Sequence, residues 1–288
     1  MIHLKLSAFF QILLLPLALL LSNEAQADDR PSGTDGKAII KQFLEVQTPS
    51  SEMALVRMQR MYNGERRDDR RFLTLYQKEA DNYNRYLLRV IRPKEAQGVT
   101  FLAVFDPEGQ STQSIYLPSI GKSRPLIAAA QATPFLGSDF NYVDLINEIP
   151  GTQKYSRLDD VTIRKMNCYA IRALPREEGG PYLHRDLFIE KETYRLVRID
   201  YYDVAGKPLK TLNAYDYDPT LIHGNSKRPH RLVMTHATKA TETIFTVIVG
   251  RVGEKFDSKM FTPAFVEAWS EEEINDFMFQ FELRVVGE

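Results

Sequence analysis

The sequence predicts a mainly β protein, one strongly curved antiparallel sheet of about eleven strands with few helices. Three observations carry this. Apolar residues alternate with period two through most of the chain, in segments joined by short turns. Aromatic residues are abundant, 14 Tyr and 16 Phe, and they favour pleated surfaces. No internal repeat points to a solenoid or a propeller instead.

The chain has 288 residues, and its start reads as an export leader. Lys5 is the positive start, Ala8 to Leu21 is apolar apart from Gln11 and Pro16, and Ala25-Gln26-Ala27 is a small-x-small cleavage site. The apolar run falls short of the roughly 20 residues needed to span a bilayer. The expected product begins at Asp28, after cleavage behind Ala27, and runs as a single domain over 28–288 in the periplasm. Lys plus Arg is 37 and Asp plus Glu is 38, a net charge of −1. Losing Lys5 and Glu24 leaves 36 against 37, still −1. That balance argues against nucleic acid as a partner, because phosphate neutralisation needs a basic excess. The one cysteine, Cys168, falls in a strand pattern and is expected to be buried. It excludes an internal disulfide and thiolate zinc sites.

Lys37 to Gln47 places Ile39, Ile40, Phe43, Leu44 and Val46 at helical spacing, stopped near Pro49. Strands follow over Glu52–Tyr62 and Glu65–Gln77, joined by the hairpin signal Asn63-Gly64. The Gly64–Arg71 stretch, GERRDDRR, reads as a solvated strand face. Tyr83–Arg92, Val99–Phe105 and Thr112–Leu117 continue the series. Val99–Phe105 is apolar at almost every position, so both its faces are expected to be covered.

From 118 to 160, Pro and Gly punctuate a stretch that still carries Ile127, Phe135, Leu136, Phe140, Tyr142, Leu145 and Ile146. It reads as an ordered insertion with short helical turns packed on the sheet. Strands resume over Val161–Arg172, Leu183–Glu190, Tyr194–Tyr202, Leu209–Tyr217, Arg231–Thr238 and Thr241–Val252. Thr262-Pro263 starts a helix, and Ser270 with Glu273 forms a capping box for another. A sheet of this size curls towards a barrel, and the first helix and the insertion are the available covers for its inner face.

The sequence lacks a catalytic constellation, so an enzyme is not expected. His184, His223, His230 and His236 show no HExxH spacing, and there is neither a G-x-S-x-G elbow nor a P-loop. Ser138 reads as a turn or cap residue. Asp139 and Asp144 are five apart, off a common helical face. No metal and no cofactor are expected.

Two stretches carry a resemblance. The first is GVTFLAVFD, Gly98 to Asp106, leading to IYLPSIGKSR, Ile115 to Arg124, with Tyr116, Leu117 and Pro118 at its centre. The second is FLGSDFNYVDL, Phe135 to Leu145, whose pattern is set by Gly137, Ser138, Asp139, Phe140, Tyr142, Asp144 and Leu145. In this order and spacing the chain resembles the LolA-like family of exported proteins, the outer-membrane lipoprotein-sorting proteins, over roughly residues 37–270. Where the family pattern has two consecutive basic residues, this chain has Lys122-Ser123-Arg124.

The resemblance implies a half-open antiparallel β-barrel with a helical lid over an apolar cavity, and no catalytic residue. It implies a periplasmic carrier of a lipid or lipid-modified protein that holds an acyl chain. The competing reading is an adaptor or sensor subunit beside an inner-membrane transporter of the resistance-nodulation-division type. Phe101, Phe105, Leu117, Phe135, Phe140, Leu187 and Ile189 are the expected cavity-facing residues. Met53, Met58, Met61, Met166 and Met234 read as core methionines.

Overall fold

Strand alternation has built a single mixed-length sheet whose two faces carry separate cores. The computed structural model describes residues 35–78, 82–146, 151–176, 179–217, 222–223 and 227–283. The export leader and its cleavage site lie outside the described residues.

Helix α1 (Gly36–Gln47) begins at Asp35, whose carboxylate accepts from the Lys37 amide at 3.2 Å. It buries Ile39, Ile40 and Phe43 on one face. Its first residue has to be glycine-sized, because a Cβ on Gly36 would meet the backbone of Ser156 and Arg157 at 3.1 Å. The strands are β1 (Ser51–Tyr62), β2 (Glu65–Lys78), β3 (Asn84–Arg92), β4 (Thr100–Phe105), β5 (Ser111–Leu117), β6 (Lys122–Pro125) and β7 (Gln153–Ile163). They continue with β8 (Met166–Pro175), β9 (His184–Glu190), β10 (Leu196–Tyr202), β11 (Pro208–Tyr215), β12 (Ile222–His223), β13 (Arg231–His236) and β14 (Thr241–Val252). The helices after α1 are α2 (Ala128–Gln131), α3 (Pro263–Ala268) and α4 (Glu271–Gln280).

All fourteen strands belong to one sheet, in the order β6-β5-β4-β3-β2-β1-β14-β13-β11-β10-β9-β8-β7, with β12 pairing to β14 in parallel. Every other pairing is antiparallel. The long β1–β14 ladder, from Glu52↔Val252 to Tyr62↔Thr241, joins the first half of the chain to the second. The sheet is curved and open, as a half-open barrel requires, with β6 and β7 as its free edges.

Three expectations need correction. The sheet has fourteen described strands rather than about eleven. The 118–160 stretch is not strand-free: it holds β6, and β7 already begins at Gln153. Both are edge strands with mostly polar, exposed side chains, so they show little apolar alternation. The segment Val161–Arg172 is not one strand. The chain reverses at Arg164 and Lys165, both at positive φ, and Cys168 lies buried on β8 beyond that turn.

Alternation sends Phe72, Tyr76, Phe101, Ala103 and Phe105 to the inner face, against α1 and the insertion. Leu73, Leu75, Leu87 and Leu102 go to the outer face, where Phe261, Val266, Trp269 and Ile274 of the C-terminal helices cover them. Thus β4 is covered on both sides, as its composition requires. Thr262 and Ser270 cap α3 and α4, and Glu273 completes the capping box. Met53 belongs to the outer core, and Met58 and Met234 to the inner one.

The outer cover is fastened by a buried cation. Arg89 on β3 donates to the carbonyls of Val266 at 3.1 Å and Trp269 at 3.0 Å, and to Thr100 Oγ1 at 3.3 Å. Its guanidinium lies over the rings of Tyr116 and Trp269. These carbonyls would otherwise be orphans at the end of α3. Arg89→Met should therefore cost about 2–4 kcal/mol in chemical denaturation. Loss of protease resistance in the C-terminal helices should accompany it.

Candidate functional site

The insertion is fixed to the inner face before any cavity can exist beneath it. Phe135 to Gly137 form a tight turn in which Leu136 and Gly137 take φ of 47° and 73°. Gly137 suits that left-handed backbone, and a Cβ there would lie 3.3 Å from Arg60 Nη1. Arg70 Nη1 donates to the Leu136 carbonyl at 2.7 Å, while its other nitrogen pairs with Asp68. Burial lowers the Arg70 pKa, and the Asp68 charge opposes that shift. The GERRDDRR run is therefore more than a solvated face: Arg70 uses its inward reach to hold the turn.

Ser138 is buried and exchanges hydrogen bonds with the Phe140 backbone, a turn role. The Asp139 carboxylate accepts from Thr241 Oγ1 at 2.6 Å and Thr243 Oγ1 at 2.7 Å. Asn141, with Asp144 three residues on, caps the next helical turn, Tyr142–Leu145, through a capping box. Lys210 on β11 donates to the Asp139 carbonyl at 2.8 Å and to Asp144 Oδ2 at 2.6 Å. The two side chains of that ion pair are 3% and 2% exposed. Tyr182 places its hydroxyl 2.9 Å from both Asp144 oxygens. Burial, then the Asp144 charge, push the Tyr182 phenol far above its ordinary pKa, so it stays a donor.

Between α1, the insertion and the inner face lies a cavity of about 230 Å³. Phe43 and Leu44 of α1, with Phe140, Leu145 and Ile146 of the insertion, line it on the cover side. Leu187, Leu196, Ile199, Leu212, Leu232 and Phe245 line it on the sheet side. Along β10 it reaches from Tyr201 to Leu196, roughly 17 Å of strand. Polar groups also line it, among them Asp144, Arg185 and Tyr201, and Gln47, Glu52, Arg228 and His230. Arg228 Nη1 donates to Glu52 Oε1 at 3.1 Å. His230 is buried and precedes β13.

Of the residues expected to face the cavity, Phe140 and Leu187 line it. Phe101, Phe105, Phe135 and Ile189 are buried in the inner core. Phe135 packs against Phe72, Phe101 and Tyr142, with ring centroids 5.3–6.5 Å apart. Leu117 is half-buried on β5, Tyr116 packs with the outer core, and Arg124 is exposed on β6. Pro118 lies against Gly98, where a Cβ would come within 2.9 Å of it. Glu52, Arg185 and Arg228 have no site role in the sequence reading, and His230 enters it only as a histidine outside HExxH spacing. Glu52 had one detectable signal: it shares strand parity with Val56 and Met58, so a carboxylate stands on an apolar face. Lys210 gave the same signal beside Leu212 and Ala214. Among the described residues no group of three or more His, Cys, Asp or Glu could hold a metal.

Removing one member of the Lys210–Asp144 pair strands the other in a water-excluded site. Lys210→Met and Asp144→Leu should each cost about 3–5 kcal/mol, and the double variant Lys210→Met/Asp144→Leu clearly less than their sum. Asp139→Ala, which orphans two threonine hydroxyls, should cost roughly 1–3 kcal/mol. Urea denaturation reads all four.

A family model described as "Uncharacterized protein" matches residues 65–268. No curated protein matches the chain. Three solved structures share its fold. One is a domain from Vibrio parahaemolyticus assigned as an outer membrane lipoprotein-sorting protein, with TM-score 0.75 and 20% identity, covering 81% of this chain and 98% of its own. The second is a DUF1329 family protein from Desulfovibrio piger, with TM-score 0.74 and 18% identity, covering 81% and 100%. The third is a LolA superfamily protein from Nitrosomonas europaea, with TM-score 0.66 and 17% identity, covering 81% and 99%. The chain belongs to the uncharacterized-protein family whose model runs from β2 to α3, and it is LolA-like in fold.

Proposed function

We propose that the protein is an exported carrier that holds one acyl chain of a lipid or lipid-modified protein in the inner-face cavity. The observation that carries this reading is the cavity itself: a mainly apolar slot between a helix and a curved sheet, with a few polar and charged groups on its wall. The name of the Vibrio parahaemolyticus relative, a lipoprotein-sorting domain, supports the same class of cargo. Each buried CH₂ of a chain gains about 0.8 kcal/mol, enough for tight binding after association costs. The cavity volume lies below the roughly 300–1,000 Å³ of pockets for drug-sized ligands. A single chain therefore suits it better than several, and its covers must yield to admit even one.

The two covers differ in how they are held. The insertion is stapled through Lys210, Asp139, Asp144 and Arg70. Helix α1 rests on apolar contacts, with Gln47 Nε2 donating to the Lys227 carbonyl at 2.7 Å. The leader reading supports delivery to the periplasm, and the mature chain should start at Asp28. N-terminal sequencing of the exported fraction checks this, and an intact leader in a membrane fraction contradicts it.

Leu187 and Phe188 sit on opposite faces of β9: Leu187 lines the cavity, while Phe188 lies under the Arg198 guanidinium. A carboxylate in the cavity wall loses its hydration once a chain fills the slot. Leu187→Glu should abolish displacement of a fluorescent fatty acid, and Phe188→Glu should leave it intact. Equal displacement by both folded variants would remove the cavity from the reading, and none by the parent would remove the cargo.

A further inference from the structure

The inner face is put to two uses. The cavity takes its wall from α1, the insertion and the strands β1 to β3 and β9 to β14, and none of it from β4, β5 or β6. Towards those three strands the face is filled with aromatic rings. Phe72 of β2 and Phe101 of β4 meet Phe135 and Tyr142 of the insertion, and all four are buried. The Phe135 ring centroid lies 5.7 Å from that of Phe72, 6.5 Å from Phe101 and 5.3 Å from Tyr142. Phe72 stands at the boundary. It pairs with Val56 of β1 on one side and Val90 of β3 on the other, and its ring is 6.1 Å from that of Phe245. Val56 and Phe245 line the cavity, whereas Phe72 does not. The Phe72 ring thus joins the cavity wall to the block of rings beyond it. That block is pinned, because the turn carrying Phe135 is held through Leu136 by Arg70 and through Asp139 by Thr241 and Thr243.

We infer that Phe72 is a specificity-determining residue: with the rings behind it, it restricts the cargo to amphiphiles that carry one acyl chain and excludes those that carry two. The part of the inner face that a second chain would need is already filled by the protein's own side chains. A second chain has two other places to go, and both are unfavourable. Left outside the slot it stays in water and gains none of the burial that holds the first. Forced inward it must part close-packed rings that the hydrogen bonds of the insertion keep in place, which is overpacking of a filled core. Helix α1 can yield to admit a chain into the slot, but it covers the cavity and not the block. The limit on chain number is therefore set on the Phe72 side of the cavity.

This inference rests on the acyl-cargo reading, and the experiment separates the two. Palmitate, palmitoyl lysophosphatidylcholine and palmitoyl hexanoyl phosphatidylcholine each compete with a fluorescent fatty acid on the mature protein. The two phospholipids share head group and first chain. They differ in a short second chain, close in size to the benzyl group that Phe72→Ala removes. The parent should bind the lysolipid about tenfold more tightly than the two-chain lipid. Phe72→Ala, checked by thermal melting, should bring the two to within about twofold, because the vacated space accepts the hexanoyl chain. Leu73→Ala, next in the chain but in the outer core, controls for general loosening and should keep the parent's preference. Equal binding of the two phospholipids by the parent overturns the inference. So does a preference that survives folded Phe72→Ala, or one that Leu73→Ala removes equally. If Phe72→Ala does not fold, Phe72→Leu takes its place with the same expected direction, and if neither folds the parent's own ratio decides. If palmitate competes and the two phospholipids bind alike, the cargo reading stands and the one-chain inference falls. If none of the three competes, both fall.

Discussion

A single buried ion pair organises the inner face. Lys210 reaches from the middle of the second half-sheet to Asp144, and both side chains are almost wholly withdrawn from water. Two ions in that position are stable only if nearly every hydrogen-bonding site around them is filled. The Asp139 carbonyl, the Asn141 amide and the Tyr182 hydroxyl fill them, and the rings of Tyr182 and Tyr201 lie 5.3 Å from the ammonium. Satisfying one lysine thus fixes the whole Ser138–Leu145 segment. The segment in turn places Phe140 edge-on against Phe245 and Phe135 among Phe72, Phe101 and Tyr142.

That constraint explains why the inner face holds a cavity. On the outer face the C-terminal helices lie directly on Leu73, Leu75, Leu87 and Leu102, with Arg89 joining strand to helix. On the inner face the cover comes in two pieces from distant parts of the chain, α1 and the insertion. Polar bonds dictate where the insertion sits, so close packing cannot draw it against α1. The gap between them is lined by what the strands present there, mostly Leu, Ile and Phe. A slot of this origin is suited to a flexible apolar chain, which adapts to an irregular wall without needing directional contacts.

The resemblance motif therefore has a structural meaning. Its glycine accommodates a left-handed turn, its aromatic residues seal the inner core, and its two carboxylates bind the insertion to β11 and β14. Only its last residue, Leu145, and the pair Phe140 and Asp144 also reach the cavity wall. Other polar groups on the cavity wall, Glu52 and Arg228 among them, stand outside the motif.

By itself the sequence determined the local elements whose signals are local. Helical spacing of Ile39, Ile40 and Phe43 marked α1, Asn63-Gly64 marked the first hairpin, and Ser270 with Glu273 marked the last helix. The edge strands β6 and β7 escaped because an edge faces water and carries no apolar rhythm. Only the tertiary structure decided which face of each strand looks inward. In β4 nearly every side chain is apolar, so period two carries no information until α1 and the C-terminal helices choose their sides. It also decided the site. Glu52 and Arg228 are 176 residues apart, and their meeting depends on the β1–β14 ladder that closes the two halves of the sheet together. No periodicity within either segment encodes that encounter, because a long-range contact is a property of strand order and not of neighbouring residues.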